Sequence, residues 1–543
     1  MGIENRSDCH VLVIGSGGAG IRAAVEAAAS GETIIVSKTI TGKGGCTVMA
    51  EGGYNAVLRS ADSVSTHYED TMKGGAFLND PALVEVLARE APDRIRDLFA
   101  WGAVFDLTCE NEIAQRPFGG QRFPRTCYAG DHTGHEMVMT LLEKLRGSPV
   151  EIRDELTVID LLKDGNTVSG AITCDREGEL GVITADAVVL ATGGAGQVYD
   201  TTTNSTAGTG DGYALGYRAG AELIDMEQVQ FHPTGAVYPY DTRGRLITEA
   251  VRGEGGILLN TKGERFMEKY DPARMELSTR DVVARSIATE VLEGRGTEHG
   301  GVWLDVTHLP REQIETRLPL MLEQFLQFGV DIRTQPMEVA PTAHHFMGGL
   351  RITPEAHTTL PHLFAAGEVT GGVHGGNRLG GNALADTQVF GRRAGLAAAS
   401  VEHTAKRASD ADQIAAAEEK ISRLYEGSAA SAEVRRSMKQ IMWNNVGIYR
   451  NELDLKVAER DIAKLRATPL GISSPREIND AIITENMLLV ASLVIEGALL
   501  RRESRGAHTR TDISIPWTNE TSPFGHTFFS KARSGIEILE GRL

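Results

Sequence analysis

Cysteine is scarce in this chain, and its cysteines do not occur in pairs. No C-x-x-C motif joins any of the five, which are Cys9, Cys46, Cys109, Cys127 and Cys174. Iron–sulfur clusters and structural zinc sites are built from closely spaced thiolates. We therefore predict no metal centre in this chain, and any electron relay beyond a bound cofactor must lie on another chain.

Positive charge is also in deficit. The chain has 55 Lys+Arg residues against 73 Asp+Glu residues, a formal net charge of −18. Nucleic acids and anionic membrane surfaces repel such a protein, so we expect neither as a partner. A small acidic substrate is still compatible with this charge, because a local pocket can be basic inside a negative protein.

No segment has the pattern of a signal peptide or of a membrane span. The first residues run into an apolar strand without a basic region and an apolar region before it. The longest apolar stretch, residues 487–500, is short and contains Glu496. We predict a cytoplasmic protein with no direct membrane insertion.

A glycine-rich loop is the clearest local signal. The loop Gly15-Ser-Gly-Gly-Ala-Gly20 follows an apolar run at 10–14 and precedes an Ala-rich segment, and a second apolar run lies at 33–36. This order predicts a strand, a loop, a helix and a strand, the setting in which G-x-G-x-x-G is informative. The free N–H groups of such a loop bind a pyrophosphate. We predict a dinucleotide site, and the alternative is an ordinary tight turn.

The residues after the second strand depart from the pattern of NAD-binding proteins. An acidic residue for the ribose hydroxyl is expected there, but Ser37 and Lys38 occupy these positions. A generic NAD site is therefore disfavoured.

The length and patterning predict several segments with different folds. A chain of 543 residues suits two or three domains. An N-cap and a following proline at Asp80-Pro81 predict a helix that ends near Gly102. Residues 225–340 are mixed and loop-rich, and residues 410–505 carry Ala, Glu, Lys and Arg at helical spacing.

Short motifs run through nearly the whole chain in one order. After the glycine loop and Ser37-Lys38 they are Thr47-Val-Met-Ala-Glu-Gly-Gly53, Phe118-Gly-Gly120, Asp131-His-Thr-Gly-His135, Thr192-Gly-Gly194, His232-Pro-Thr234, Thr248-Glu-Ala-Val-Arg-Gly-Glu-Gly-Gly256, Arg280-Asp281, Pro341-Thr-Ala-His344, Met347-Gly-Gly349, Gly367-Glu368, His374-Gly-Gly-Asn-Arg378 and Arg505-Gly-Ala-His508. In this order they resemble the flavoprotein subunits of succinate dehydrogenase and fumarate reductase. The chain is most similar to the thiol-dependent (CoM/CoB) fumarate reductases of methanogens.

The resemblance implies an α/β fold with three parts. A Rossmann-like FAD-binding domain is expected at residues 1–225 and 341–400, interrupted by an α+β capping domain at 226–340. A C-terminal helical bundle and tail are expected at 401–543.

The resemblance also implies an FAD-dependent oxidoreductase of electron transport that reduces fumarate to succinate. Hydride would come from flavin N5, and the proton from Arg280, fed through Glu249 and Arg252. The planar guanidinium group of arginine can bind a carboxylate with two parallel hydrogen bonds. The resemblance assigns one substrate carboxylate to Arg378 and His344, and the other to His232 and Thr248. Thr248 and Arg252 would share a face if their segment is helical.

Each of these residues also has a structural interpretation. Thr248 could be a helix N-cap, and Glu249, Arg252 and Arg280 could form surface ion pairs. His345 stands where the family usually carries Tyr, and we expect it to pack or hydrogen-bond near the flavin.

The residues that the resemblance places at FAD come from all along the chain. Those of the glycine loop and adenosine side are Gly15, Gly17, Gly18, Ala19, Gly20, Ser37 and Lys38. Those along the isoalloxazine and elsewhere are Cys46, Thr47, Gly52, Gly53, Thr192, Gly193 and Asp211. Glu368 is expected at the ribityl or ribose portion and Ala383-Leu384 at the pyrimidine edge, with Ala383 in place of the usual Ser.

Cys46 replaces the histidine through which many relatives tether FAD. We predict non-covalent FAD beside a packed free thiol, and a cysteinyl thioether is the alternative. Without an electron-withdrawing tether the flavin is a stronger reductant, which favours fumarate reduction over the succinate dehydrogenase direction.

Two other functions are weighed against this one. L-Aspartate oxidase shares the fold but usually has a glutamate for the substrate ammonium where Phe118-Gly-Gly120 stands here. A non-enzymatic electron-relay flavoprotein is disfavoured by the intact Arg280, Glu249, Arg252 and Arg378. The expected electron donor is an iron–sulfur subunit, fed by thiols or by quinol.

Overall fold

The computed structural model describes residues 5–403, 410–514 and 521–539. Strands and helices alternate in the first part: β1 (Asn5–Ile14), α1 (Gly18–Ala27), β2 (Thr33–Val36), β3 (Tyr54–Asn55), α2 (Val64–Gly74), α3 (Pro81–Ala100), β4 (Gln115–Arg116), β5 (Thr126–Cys127), α4 (Thr133–Arg146), β6 (Glu151–Arg153), β7 (Thr157–Asp164), β8 (Thr167–Cys174), β9 (Leu180–Leu190), α5 (Asp211–Ala219) and β10 (Leu223–Ile224).

The middle of the chain is a mixed segment: β11 (Val229–Tyr238), α6 (Glu249–Gly253), β12 (Ile257–Leu259), α7 (Met267–Tyr270), α8 (Arg280–Glu290), β13 (Val302–Asp305), α9 (Arg311–Arg317), α10 (Pro319–Leu326) and β14 (Met337–Phe346). The last part becomes mainly helical: β15 (Gly349–Arg351), β16 (Leu363–Ala365), β17 (Thr370–Gly371), α11 (Asn382–Ala399), α12 (Ala411–Leu424), α13 (Ser431–Asn445), β18 (Tyr449–Arg450), α14 (Glu452–Ala467), α15 (Ile478–Leu500), β19 (Thr509–Arg510), β20 (Phe524–Phe529) and β21 (Ser534–Ile538).

A largely parallel sheet carries the glycine loop. Its order is β6-β2-β1-β9-β8-β7, and β16 also pairs with β9. The inner strands are apolar on both faces, as strands covered by helices on both sides must be. The registers put Ile14 beside Leu190 and Leu190 beside Ala365, so three strands end together at one carboxyl edge. Ligands of open α/β sheets bind at such an edge.

The inserted segment has a hydrophobic core of its own. Its four-stranded antiparallel sheet has the order β11-β14-β13-β12, and the buried residues of this core all lie between Ala236 and Val339. The long strands β11 and β14 pair with each other at the two ends of the insertion. A separate core at these positions agrees with a capping domain near 226–340, although those boundaries stay a prediction.

The helix α15 is longer than the apolar stretch in the sequence suggested. The segment Pro475–Leu500 is long and apolar enough to cross a membrane, the one such helix among the described residues. However, 72% of its most apolar window is buried inside the protein, against α5, α13 and α14 among others. α15 is therefore a core helix of the protein. An apolar surface on all sides is typical of a helix that is buried.

Candidate active site

A deep cavity runs from the carboxyl edge of the parallel sheet to the strands β11 and β14. All but one of the predicted cofactor residues line it, namely Gly15, Gly17, Gly18, Ala19, Ser37, Lys38, Cys46, Thr47, Gly52, Gly53, Thr192, Gly193, Asp211, Glu368, Ala383 and Leu384. All but one of the predicted substrate and catalytic residues line it too, namely His232, Thr248, Glu249, Arg280, His344 and Arg378. The fold thus joins the two predicted sites in one cavity.

Gly20 is the cofactor residue that does not line the cavity. A Cβ atom at this position would lie 1.8 Å from the carbonyl oxygen of Gly15. Gly20 is therefore required for α1 to leave the loop, and its predicted contact with the cofactor stays a prediction.

Lys38 and Asp211 hold each other at one side of the cavity. Nζ of Lys38 lies 2.6 Å from Oδ2 of Asp211, and Nδ2 of Asn486 donates to Oδ1 of Asp211 over 2.9 Å. Burial would raise the pKa of Asp211, but Lys38 and these donors lower it below its ordinary value. This pair fixes the end of β2 against the first turn of α5.

The cavity has the polar groups that FAD requires. The N-terminal ends of α1 and α11 open on it through Gly17, Gly18 and Ala383. Several buried polar atoms in its wall have no hydrogen-bond partner within the described part of the chain, namely Thr192 Oγ1, His345 Nε2, Arg378 Nε and Asp386 Oδ1. Buried polar groups are rarely left unpaired, so a long polar ligand fits this wall.

Cys46 and Glu368 lie in the wall, and both side chains have raised pKa values. Burial raises the pKa of the Cys46 thiol to about 12, helped by the charge of Glu368. Burial also raises the pKa of Glu368 to about 7, against the opposing effect of the Phe346 N–H, which donates to Oε1 over 3.0 Å. Because the thiolate is the nucleophilic form, Cys46 is unreactive near neutral pH.

His232 and His344 face each other from the neighbouring strands β11 and β14. Their ring centroids are 4.9 Å apart. Nδ1 of His232 accepts from the backbone N–H of Thr234 over 3.3 Å, while the Thr234 hydroxyl donates to the carbonyl oxygen of Ile247. A neutral imidazole carries one proton, so His232 carries it on Nε2.

Both histidines are neutral at neutral pH. Burial lowers the pKa of His232 well below its ordinary value, and Arg280, Arg252 and Arg378 lower it further. The pKa of His344 is also lowered well below its ordinary value, by burial first and then by His232, Arg280 and Arg378. Each ring can therefore offer one N–H donor to an anion without being charged.

Gln230 connects the two arginines of the cavity. Its Oε1 accepts from Nη1 of Arg280 and from Nη2 of Arg378, both over 3.2 Å. Its Nε2 donates to Asn377 and to the carbonyl oxygen of Arg378. Gln230 was not among the residues predicted from the sequence. A signal was present, because Gln230 lies two residues before His232 and therefore on the same face of a strand.

Glu249 lies beside Arg280 in the cavity wall. Its Oε2 is 2.8 Å from Nε of Arg280, and its Oε1 accepts from the Gly119 N–H over 2.7 Å. Burial would raise the pKa of Glu249, but Arg280, Arg252 and this N–H lower it below its ordinary value. Glu249 is thus ionised in a buried position.

A helical face shared by Thr248 and Arg252 required a helix through both residues, and this condition is not met. The helix α6 begins at Glu249, and Thr248 is its N-cap, accepting from Ala250 N over 3.3 Å. Arg252 is not among the residues that line the cavity; its Nη2 lies 3.9 Å from Oε2 of Glu249, and its Nη1 donates to the carbonyl oxygen of Glu276. The alternative of surface ion pairs is wrong, because Glu249, Arg252 and Arg280 are all buried.

His345 lines the cavity beside Glu368 and His374. Its Nδ1 lies 3.6 Å from Oε1 of Glu368, and its ring is edge-on to His374. Phe118 is buried in the cavity wall, where its ring lies close to Gly52. The expectation that His345 packs or hydrogen-bonds near the flavin stays a prediction.

Protein-family models and known proteins match most of this chain. An FAD binding domain model matches residues 10–384, and a model of the fumarate reductase flavoprotein C-terminal region matches residues 435–538. The chain is 54% identical to one subunit of the fumarate reductase (CoM/CoB) of Methanothermobacter marburgensis, covering 93% of this chain and 94% of that protein. It is 39% identical to the chloroplastic L-aspartate oxidase of Arabidopsis thaliana, covering 94% and 81%.

Solved structures have the same fold. A quinol fumarate reductase of E. coli superimposes with a TM-score of 0.92 at 34% identity, covering 99% of this chain and 97% of that chain. The predicted α/β architecture with a C-terminal helical domain is confirmed. The chain therefore belongs to the flavoprotein family of fumarate reductase and succinate dehydrogenase, and it is an FAD-dependent oxidoreductase.

Proposed function

We propose that this chain is the flavoprotein catalytic subunit of a fumarate reductase that converts fumarate to succinate. The observation that carries the proposal is the position of Arg280. Its side chain lines the cavity opposite two neutral histidines, and Glu249 is bound beside it. Nε and Nη1 of Arg280 have protein acceptors, whereas Nη2 has none among the described residues and is left for a substrate.

The charges around this point suit a dianion. Arg280 and Arg378 face the cavity, and the nearest ionised carboxylate, Glu249, is already bound by Arg280. Arg378 with His344 would bind one carboxylate of fumarate, and His232 with Thr248 the other. Burial and Arg280 lower the pKa of Arg378 well below its ordinary value, so an anion that neutralises this charge is favoured here.

The chemistry requires one hydride and one proton on neighbouring carbons. FAD, once reduced by two electrons, would supply the hydride at N5. Arg280 would give its proton to the other carbon. Glu249, with Arg252 behind it, would take up a proton and pass it to Arg280 across the 2.8 Å contact between Oε2 and Nε.

The other functions are less well supported. L-Aspartate oxidase needs a group that pairs with the substrate ammonium, and the buried ring of Phe118 cannot do so. A non-enzymatic electron relay does not need Glu249 and two arginines around one cavity. The succinate dehydrogenase direction uses the same residues, and we propose reduction because Cys46 lies where relatives carry the tethering histidine.

The donor of electrons would be an iron–sulfur protein on a separate chain. The five cysteines do not have the C-x-x-C spacing that is typical of cluster ligands. The similar methanogen protein is by its name one subunit of an enzyme, which implies further subunits in that enzyme. We propose the same organisation here, with non-covalent FAD and a cytoplasmic location.

A dye-linked assay tests this function. Purified protein loaded with FAD would be mixed anaerobically with reduced viologen and either fumarate or no acceptor, and L-aspartate oxidation would be measured in parallel. We expect fumarate-dependent viologen oxidation that exceeds L-aspartate oxidation. Oxidation of L-aspartate alone would replace the proposed substrate, and no turnover with either would favour the electron relay.

A further inference from the structure

Thr203 is a polar residue of the cavity wall that the proposed chemistry does not use. Its Oγ1 lies 2.7 Å from Nδ1 of His344, and the side chain is 9% exposed. The hydroxyl has no other hydrogen-bond partner among the described residues. A cavity-lining hydroxyl whose one partner is a substrate-binding histidine suggests a specific task.

The backbone around Thr203 is fixed to the strand that carries His344. Thr203 N donates to the carbonyl oxygen of Ala343 over 3.0 Å, and Ala343 N donates to the carbonyl oxygen of Thr201 over 3.1 Å. Nδ2 of Asn204 donates to the carbonyl oxygen of His344 over 2.6 Å. The hydroxyl is thus held at Nδ1 by contacts that do not involve the side chain of Thr203.

A carboxylate only accepts hydrogen bonds, so the histidine that binds it must donate. Nδ1 of His344 faces Thr203, which leaves Nε2 on the other side of the ring for the cavity. A neutral imidazole has one N–H, so Nδ1 is an acceptor whenever Nε2 carries that proton. The Thr203 hydroxyl can donate to Nδ1 in this state, and without it Nδ1 would lose this partner. With the reverse tautomer, an unprotonated Nε2 would repel the substrate.

We propose that Thr203 is a positioning residue that supplies the donor to Nδ1 of His344 while its Nε2–H binds a substrate carboxylate. This role rests on the proposed reduction of fumarate. His232 provides an internal comparison, because its Nδ1 accepts from a backbone N–H that no side-chain substitution removes. Nδ1 of His344 has a side-chain hydroxyl as its partner instead, and a substitution can remove it.

The substitutions Thr203→Val and Thr203→Ser separate this role from a structural one. Valine keeps the shape and the backbone contacts but cannot donate, whereas serine keeps the hydroxyl. For Thr203→Val we expect the KM for fumarate to rise about tenfold, the size of one lost hydrogen bond in a binding site, with a smaller fall in kcat. For Thr203→Ser we expect a KM close to that of the wild type.

Binding of malonate, measured by the change in the absorption spectrum of the bound flavin, gives a readout that needs no turnover. We expect weaker malonate binding by Thr203→Val and normal binding by Thr203→Ser. Equal binding by Thr203→Val and the wild type, or equal losses in both variants, overturns the role of Thr203 even if the wild type reduces fumarate. A wild type that binds malonate but does not reduce fumarate contradicts the proposed function alone, and one that does not bind malonate contradicts both.

Discussion

The Nε atom of Arg280 lies 2.8 Å from Oε2 of Glu249, and both residues are buried in the part of the cavity wall that the inserted segment provides. Arg280 is 7% exposed and Glu249 only 2%. The pair thus holds a guanidinium and a carboxylate together away from bulk water. A proton that reaches a substrate through Arg280 can be replaced from Glu249 without opening the cavity to water.

Substitution Glu249→Gln should abolish most of the turnover while keeping the fold. Glutamine retains the size of the side chain and can still accept from the Gly119 N–H, but it cannot take up a proton and pass it to Arg280. We expect kcat for fumarate to fall about 10²–10⁴-fold, the usual contribution of a positioned acid or base. Viologen-linked kinetics on FAD-loaded protein would measure this.

Glu290→Gln is the matched control for this variant. Glu290 is a buried glutamate of the same inserted segment, and it binds Arg295 and Asn260 at the opposite end of α8 from Arg280. We expect its turnover per folded molecule to equal that of the wild type. Similar losses in both variants would show that Glu249 acts through folding instead of proton return.

The stability of the cofactor-free protein should depend on pH through Glu368. Burial raises its pKa to about 7 in the folded state, so the folded protein binds more protons than the unfolded chain above about pH 4.5. Stability is therefore lost as the pH rises through this window, by roughly 3 kcal/mol in total. Glu368→Gln should remove this loss.

Thermal unfolding of the two proteins between pH 5 and pH 8 measures this effect. The melting temperature of Glu368→Gln should rise relative to that of the wild type as the pH increases. A constant difference across the range would mean that the Glu368 carboxyl keeps an ordinary pKa in the cavity.

FAD should be released intact when the protein is unfolded. Because burial raises the pKa of Cys46 to about 12, its thiol is protonated near neutral pH and is a poor nucleophile towards the flavin. We expect acid precipitation to leave all of the flavin in the supernatant, for the wild type as for Cys46→Ala. Yellow precipitated wild-type protein beside colourless Cys46→Ala would instead demonstrate a thioether.

The residues that line the cavity could largely be predicted from the sequence, because the motifs that carry them lie at the ends of strands and the starts of helices. Gly15, Thr192 and Gly367 follow or adjoin three strands whose registers bring their ends together. The sequence was insufficient for Gln230 and Thr203, because their contacts depend on which strands, helices and loops meet across 50 to 148 residues of sequence. The relation of Thr248 to Arg252 could only be predicted conditionally, because α6 is five residues long and Thr248 lies outside it.

The extent of the elements was also harder to predict than their kind. β1 begins at Asn5, well before the apolar run, because Asn5 to Cys9 pair with Gly181 to Ala185 of β9. α15 extends back to Ile478 because its early polar residues are packed against neighbouring helices and strands. Both extensions are decided by pairing partners that a local pattern does not contain.

The central claim, that Arg280 protonates fumarate, is tested most directly by Arg280→Ala in the anaerobic viologen assay. We predict that Arg280→Ala binds FAD and that its flavin is reduced by viologen. We also predict that fumarate causes no further oxidation of viologen in this variant, whereas Arg285→Ala, changed on the same helix, stays active. Turnover of Arg280→Ala within a few-fold of the wild type would contradict the account.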